Sequence, residues 1–129
     1  MTMAIDGMDQ SKFRVPRTLR PPSKIMARLY RPAVHCVAAW IHGLLLNVYI
    51  SNPDAKKDSS THAEVVALCL GEALERCNNQ LPLGLHIQID NTYREGKNTF
   101  FMAFLLTLLL RRSFRWISVG FLRSDHSCL

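Results

Sequence analysis

LHIQIDNTYREGKN, residues 85–98, changes character at its middle. Leu85, Ile87 and Ile89 alternate with His86 and Gln88, the two-residue period of a strand with one buried face. A single acid, Asp90, follows, and then a polar knot that runs to Asn98. A carboxylate at the end of a buried strand has two explanations. Aspartate is common beside turns, or the group is there for its chemistry.

The flanks of this stretch set its context. Upstream, Val66, Leu70, Ala73, Leu74 and Cys77 recur at three- and four-residue spacing, an apolar helical stripe. Thr61 and Glu64 have the spacing of a capping box at its start, and NNQLPLG stops it. Downstream, FFMAFLLTLLL (residues 100–110) is eleven residues without a charge, closed by Arg111 and Arg112. Crossing a bilayer takes roughly 20 such residues, so a buried helix is expected. RWISVGFL, residues 115–122, reads as another strand.

Nearer the start, VHCVAAWIHGLLLNVYI (34–50) is rich in β-branched and aromatic residues and is broken by Gly43, the pattern of two strands joined as a hairpin. SNPDAKKDSS (51–60) is a loop by its turn residues. RVPRTLRPPSK (14–24) holds three prolines and is expected to be irregular or extended. MAIDGM, at residues 3–8, fits a truncated or edge strand. The order strand, strand, strand, helix, strand, helix, strand implies an α/β fold with a mixed sheet covered by helices.

The 129 residues suffice for one domain, 1–129, with a basic, proline-rich segment at 13–33. Hydrophobic residues make up 48% and charged residues 20%, which argues against a disordered chain. The net charge of +6 is uneven. Seven basic residues and no acid lie between Lys12 and Arg31, and Arg111, Arg112, Arg115 and Arg123 form a second group. Such clustering suits a phosphate backbone or an anionic surface, and equally a solvated basic segment. The four cysteines include no CxxC pair, and MTMAIDGMDQ lacks the features of a secretory signal. Reduced thiols and an intracellular, non-secreted protein are expected, with the nucleus open as a location.

DNTYREGKN, residues 90–98, resembles the D-N-x-x-x-[EQ]-x-K-N signature of an uncharacterised, transposon-derived domain family. That family is related to DDE transposases and integrases and has an expected ribonuclease H-like fold. IDGMDQSKFRVPR, RPAVHCVAAWIHG and SVGFLRSDHS resemble its other blocks, in order, so the likeness runs from Ile5 to Ser127. It implies catalytic carboxylates at strand ends that hold two Mg²⁺ ions about 4 Å apart for polynucleotidyl transfer. Asp90 would be the fourth-strand acid and Asp9 or Asp6 the first-strand acid. The spacing to RVP favours Asp9, and strand-end placement favours Asp6. Asn91, Glu95, Lys97 and Asn98 occupy the signature's polar positions. Lys97 would contact phosphate, while Asn98 has a plainer role as a helix cap. Lys12, Arg14, Arg17 and Arg20 would bind nucleic acid, DNA being the expected partner.

The departures are at the end. Where the family shows G-H-T-H-x-x-x-D, this chain has Asp125, His126, Ser127 and Cys128 and stops at Leu129. A copy truncated at both ends, lacking the last acid and catalytically inactive, is therefore expected. A nucleic-acid-binding remnant and a decayed reading frame are the alternatives. Zinc is disfavoured: Asp125, His126 and Cys128 have no second ligand pair adjacent in sequence, and His35, Cys36 and His42 would need the fold to bring them near. His35 and His42 read as core or sheet-face residues, and Cys69 and Cys77 as helix packing. No Cys–His nucleophile pair is specified. Trp40, Tyr49 and Trp116 could stack bases, but aromatics in strands are usually core.

Overall fold

The computed structural model describes residues 1–7, 24–32, 34–51, 59–90 and 98–121. They form β1 (Thr2–Gly7), α1 (Lys24–Arg28), β2 (His35–Ile41), β3 (Leu45–Ser51), α2 (Ser59–Arg76), β4 (Gly84–Ile89), α3 (Thr99–Leu110) and β5 (Trp116–Phe121). The strands build one sheet in the order β3-β2-β1-β4-β5. β2 is antiparallel to β1 and to β3, whereas β4 runs parallel to β1 and to β5. The expected mixed α/β architecture is therefore present.

Local chemistry explains the chain's turns. Gly43 sits at φ +74 between β2 and β3, a left-handed conformation that a residue without Cβ enters freely. After α2, Asn78 and Asn79 adopt φ 53 and 61. Asparagine tolerates that region better than most side-chain-bearing residues, which ends the helix.

One face of the sheet is the core face. Met3, Ile5, Val37, Ala39, Ile41, Leu85, Ile87 and Ile89 are buried on it against Val66, Cys69, Leu70 and Ala73 of α2 and Phe101 and Leu105 of α3. Strand alternation sends the intervening residues to the opposite face. There Trp40, Leu46, Val48, Ile50 and Trp116 are exposed, so two aromatics expected in the core stand outside it.

Three further expectations are corrected. β1 is the central strand of the sheet, not an edge, because it pairs on both sides. The stretch expected to be irregular or extended, 14–24, lies outside the described residues up to its last member, Lys24, which opens a short helix, α1. No proline intervenes between Pro22 and Pro32, so nothing there blocks helical turns. α2 begins two residues before Thr61, which places Thr61 inside the first turn and not at the cap; Cys77 lies just past the helix end. α3 is apolar all round but packs along one side. Phe101 and Leu105 are buried, while Phe100, Leu106 and Leu110 face outward. Among the described residues no helix is long and apolar enough to cross a membrane.

Candidate functional site

The register of the two central parallel strands brings the site together. Thr2 stands opposite His86, Met3 opposite Ile87, Ala4 opposite Gln88 and Ile5 opposite Ile89. Continuing that register by one residue sets Asp6 opposite Asp90, on neighbouring strands about 4.8 Å apart. Both aspartates are exposed at the same rim, and each follows a core isoleucine that is at most 2% exposed. Alternation turns both toward the face away from the helices. Residues 84 positions apart in sequence thus fall side by side because β1 and β4 are parallel and the paired register ends at Ile5–Ile89, one residue before each acid.

The start of α3 lies close to Asp90 along the chain. Asn98 is its N-cap: its backbone is extended, at φ −129 and ψ 160, and its Oδ1 accepts the Phe101 amide at 2.9 Å. That bond satisfies one of the orphan amides of a helix start. The cap role weighed for Asn98 is what the structure displays. Asp9, Lys12, Arg14, Arg17, Arg20, Asn91, Glu95, Lys97 and His126 lie outside the described residues, as do Asp125 and Cys128.

Among the described residues, the other reactive side chains are not brought into one place. His35 is buried on the core face, with its Nδ1 3.3 Å from Ser51 Oγ. Cys36, next in the strand, points to the opposite face. His42 stacks on Trp40 with ring centroids 4.0 Å apart and planes 16° apart. Among the described residues, no three His, Cys, Asp or Glu side chains group to hold a metal.

Sequence reasoning missed a polar chain between β3 and α2. Asn47 Nδ2 donates to Glu72 Oε2 at 2.5 Å and to the Tyr49 hydroxyl at 3.2 Å, and that hydroxyl lies 3.2 Å from Cys69 Sγ. Arg76 closes the chain, donating to Glu72 Oε1 at 2.6 Å. The signal available was the i,i+4 pair Glu72–Arg76 together with Asn47 and Tyr49 alternating on β3. The Asn47 amide, with Arg76 second, holds the Glu72 carboxyl below its usual range. Burial, then the Cys69 contact, pushes Tyr49 up to about 12. Burial also raises the Cys69 thiol, which leaves it mostly protonated and a poor nucleophile.

These shifts carry a sign. Tyr49 titrates at 10.0 unfolded and about 12 folded, so the fold favours its neutral form. That contribution is complete below pH 10 and disappears as pH climbs from 10 to 12; the Cys69 thiol acts in the same direction from about pH 9. The unfolding midpoint is expected to fall over this alkaline window, and less so in Tyr49→Phe. Identical alkaline slopes for the two proteins would refute the assignment.

Comparison with known proteins adds one match. A family model described as a domain of unknown function covers residues 26–128, a span that includes Asp90 and excludes Asp6. No curated protein and no solved structure matches the chain.

Proposed function

The chain belongs to the family of the domain of unknown function DUF7869, and from that premise we propose a ribonuclease H-like domain, related to transposases and integrases, that engages nucleic-acid phosphates through Mg²⁺ at Asp6 and Asp90. The observation that carries this reading is the shared register of the two aspartates at one rim of the central parallel pair. The strand order β3-β2-β1-β4-β5, with β2 reversed, is also the arrangement such a core would have.

The residues present fit the cation. Mg²⁺ takes hard oxygen ligands and is commonly held by one or two carboxylates, with waters and substrate phosphates completing its shell. Asp6 and Asp90 offer that donor set on an exposed rim, open to a polymer too large for a closed pocket. When bound there, Mg²⁺ would neutralise phosphate charge and polarise the phosphoryl oxygens. The aspartates themselves orient the cation; the strands beneath them are fixed by core isoleucines, so the two carboxylates need little ordering on binding. Two carboxylates sustain phosphate engagement. A two-metal cleavage site needs more ligands, and the third acid of the family's pattern, expected after the last strand, has no counterpart in this sequence. We read the domain as a nucleic-acid-binding one, with DNA as its partner.

Thermal unfolding of the full chain across a Mg²⁺ series tests this. At Mg²⁺ about tenfold above its dissociation constant, linkage adds about 1.4 kcal/mol and raises Tm by about 4 °C. Retention of duplex DNA is expected to rise with Mg²⁺ and to fall steeply with added salt, as phosphate contacts release counterions. A Tm indifferent to Mg²⁺ would sink the metal site, and DNA binding that stays flat across the salt series would sink the nucleic-acid reading.

A further inference from the structure

β3 closes one side of the sheet, and among the described residues its outer edge pairs with nothing. The direction of its backbone groups follows from β2. The His42 amide donates to Thr2 O at 3.0 Å, toward β1. Backbone groups alternate in direction along a strand, so Ile41, Ala39 and Val37 aim theirs at β3. They stand opposite Leu45, Asn47 and Tyr49, which return those bonds. Leu46, Val48 and Ile50 therefore turn both N–H and C=O outward, to the free edge.

A free edge is a template for another strand, and folds usually blunt it with lysine, proline, a bulge or a covering element. LLNVYIS, residues 45–51, holds no charged residue and no proline. Each of its residues opposes one residue of β2, so no bulge bends it away. The side chains of Leu46, Val48 and Ile50 are apolar and each residue is more than half exposed. On the helix side Leu68 of α2, equally open, joins Tyr49, Ile50 and Ser51 around a hollow of about 180 Å³. Apolar surface thus wraps the edge from both faces. The strand is also held in place. Asn47 donates to Glu72 and the Tyr49 hydroxyl lies against Cys69 Sγ, both on α2, so a partner has little left to order.

The residue pattern says which strand fits. Val48 is the middle residue of Leu45–Ser51, with Asn47 and Tyr49 on either side and Leu46 and Ile50 beyond them. A second β3, laid antiparallel and centred on Val48, sets Val48 opposite itself, Leu46 opposite Ile50 and Asn47 opposite Tyr49. That register pairs the whole strand. Every outward N–H and C=O then meets a mate, and each open-face pair is apolar on both sides. Such self-complementarity is the mark of an isologous two-fold contact. β5, the other edge strand, lacks it: about Ser118 it would set Trp116 against Gly120. Leu46, Val48, Ile50 and Leu68, with the strand edge itself, cover on the order of 1,000 Å² over two copies, the least a specific dimer needs.

We infer that the β3 edge is a homodimer interface, at which two copies of this chain join antiparallel and continue one sheet into the other. Backbone hydrogen bonds supply the contact, and the Leu46, Val48 and Ile50 side chains fix its register. β1 and β4, which carry Asp6 and Asp90, lie inside the sheet beyond β2. Pairing at β3 therefore leaves the carboxylate rim open, and the two proposals do not depend on each other.

Sedimentation of the full chain in EDTA, from about 1 to about 200 µM, reads the oligomeric state. A reversible monomer–dimer equilibrium is expected, with a dissociation constant of about micromolar order for so small a contact. Val48→Lys sets two like charges opposite each other and should raise that constant at least about tenfold. Disulfide trapping reads the register, in a Cys77→Ser, Cys128→Ser background because Cys36 and Cys69 are already buried. Hydrogen-bonded antiparallel mates stand about 5.5 Å apart in Cα terms, within reach of a disulfide. Val48→Cys alone should therefore give a covalent dimer under mild oxidation. Leu46→Cys and Ile50→Cys should each stay monomeric alone, their own copies being about 14 Å apart along the strands, and should cross-link when mixed. A chain that is monomeric throughout overturns the inference and leaves the edge to a strand of another protein. A dimer indifferent to Val48→Lys overturns it too, since the contact would lie elsewhere. So does Val48→Cys that yields no covalent dimer, a readout that stands even where Val48→Lys loses its fold.

Discussion

Phe101→Ala is expected to destabilise the domain by about 3–5 kcal/mol, the cost of emptying a buried aromatic site. Phe101 is 0% exposed, lies in the first turn of α3 and meets Phe104 with ring centroids 6.3 Å apart. The rest of α3 cannot offset the loss, because Leu105 is its other fully buried residue and Leu106 and Leu110 face outward. A small domain has about 5–15 kcal/mol in total, so the variant should stand close to its unfolding threshold, with Tm about 10–15 °C lower. Phe101 also carries the amide that Asn98 caps, so the variant should loosen the helix start as well. Chemical denaturation with a ligand-free control measures the stability. A cost below about 1 kcal/mol would mean that the helix is held by something other than this side chain.

The elements most legible in the sequence were those whose period is set by a single buried face. Leu85, Ile87 and Ile89 alternate because β4 is covered on one side, and Gly43 marks the hairpin because the turn needs a positive φ. The α2 stripe at Val66, Leu70 and Ala73 was visible for the same reason. Other features depend on partners that are distant along the chain. Nothing in MAIDGM says that it will be flanked by β2 and β4, so it read as a truncated or edge strand; its central position comes from pairing with residues at least 30 and more than 80 positions away. Trp40 and Trp116 read as core because aromatic side chains carry a large apolar area. Which sheet face they occupy depends on register, and one residue of register decides between buried and open. The apolar run of α3 gave its helix but not its packing, since periodicity is silent when every position is apolar.

The candidate rim divides in the same way. Asp90 was visible as an acid ending an alternating run. Its pairing with Asp6 was not readable from spacing, and Asp9 competed for the place on equal terms. Register supplies the argument for Asp6, because it continues the pair Ile5–Ile89. The polar chain from Asn47 to Arg76 escaped notice because its members come from a strand and a helix that only tertiary packing brings together. A polar residue on the inward face of an edge strand, as Asn47 is, was the clue available.

Asp6→Asn and Asp90→Asn are each expected to remove the Mg²⁺-dependent rise in Tm almost completely, and the double variant to do nothing more. The reason is shared ligation. A cation held by two carboxylates on adjacent strands loses most of its affinity with either one, because the remaining group competes alone with water for a strongly hydrated ion. The two substitutions therefore couple, as residues that share a partner do. In metal-free buffer the sign reverses. Like charges on neighbouring strands destabilise a sheet, so each single variant should be as stable as the parent or slightly more so. These opposite effects separate a metal site from two incidental surface acids. Incidental acids would leave the Mg²⁺ response intact in one variant at least, and their effects would add. A Mg²⁺ response lost in Asp90→Asn but retained in Asp6→Asn would transfer the first-strand role to another carboxylate, with Asp9 the next to substitute. Retention in both would leave the rim without a metal.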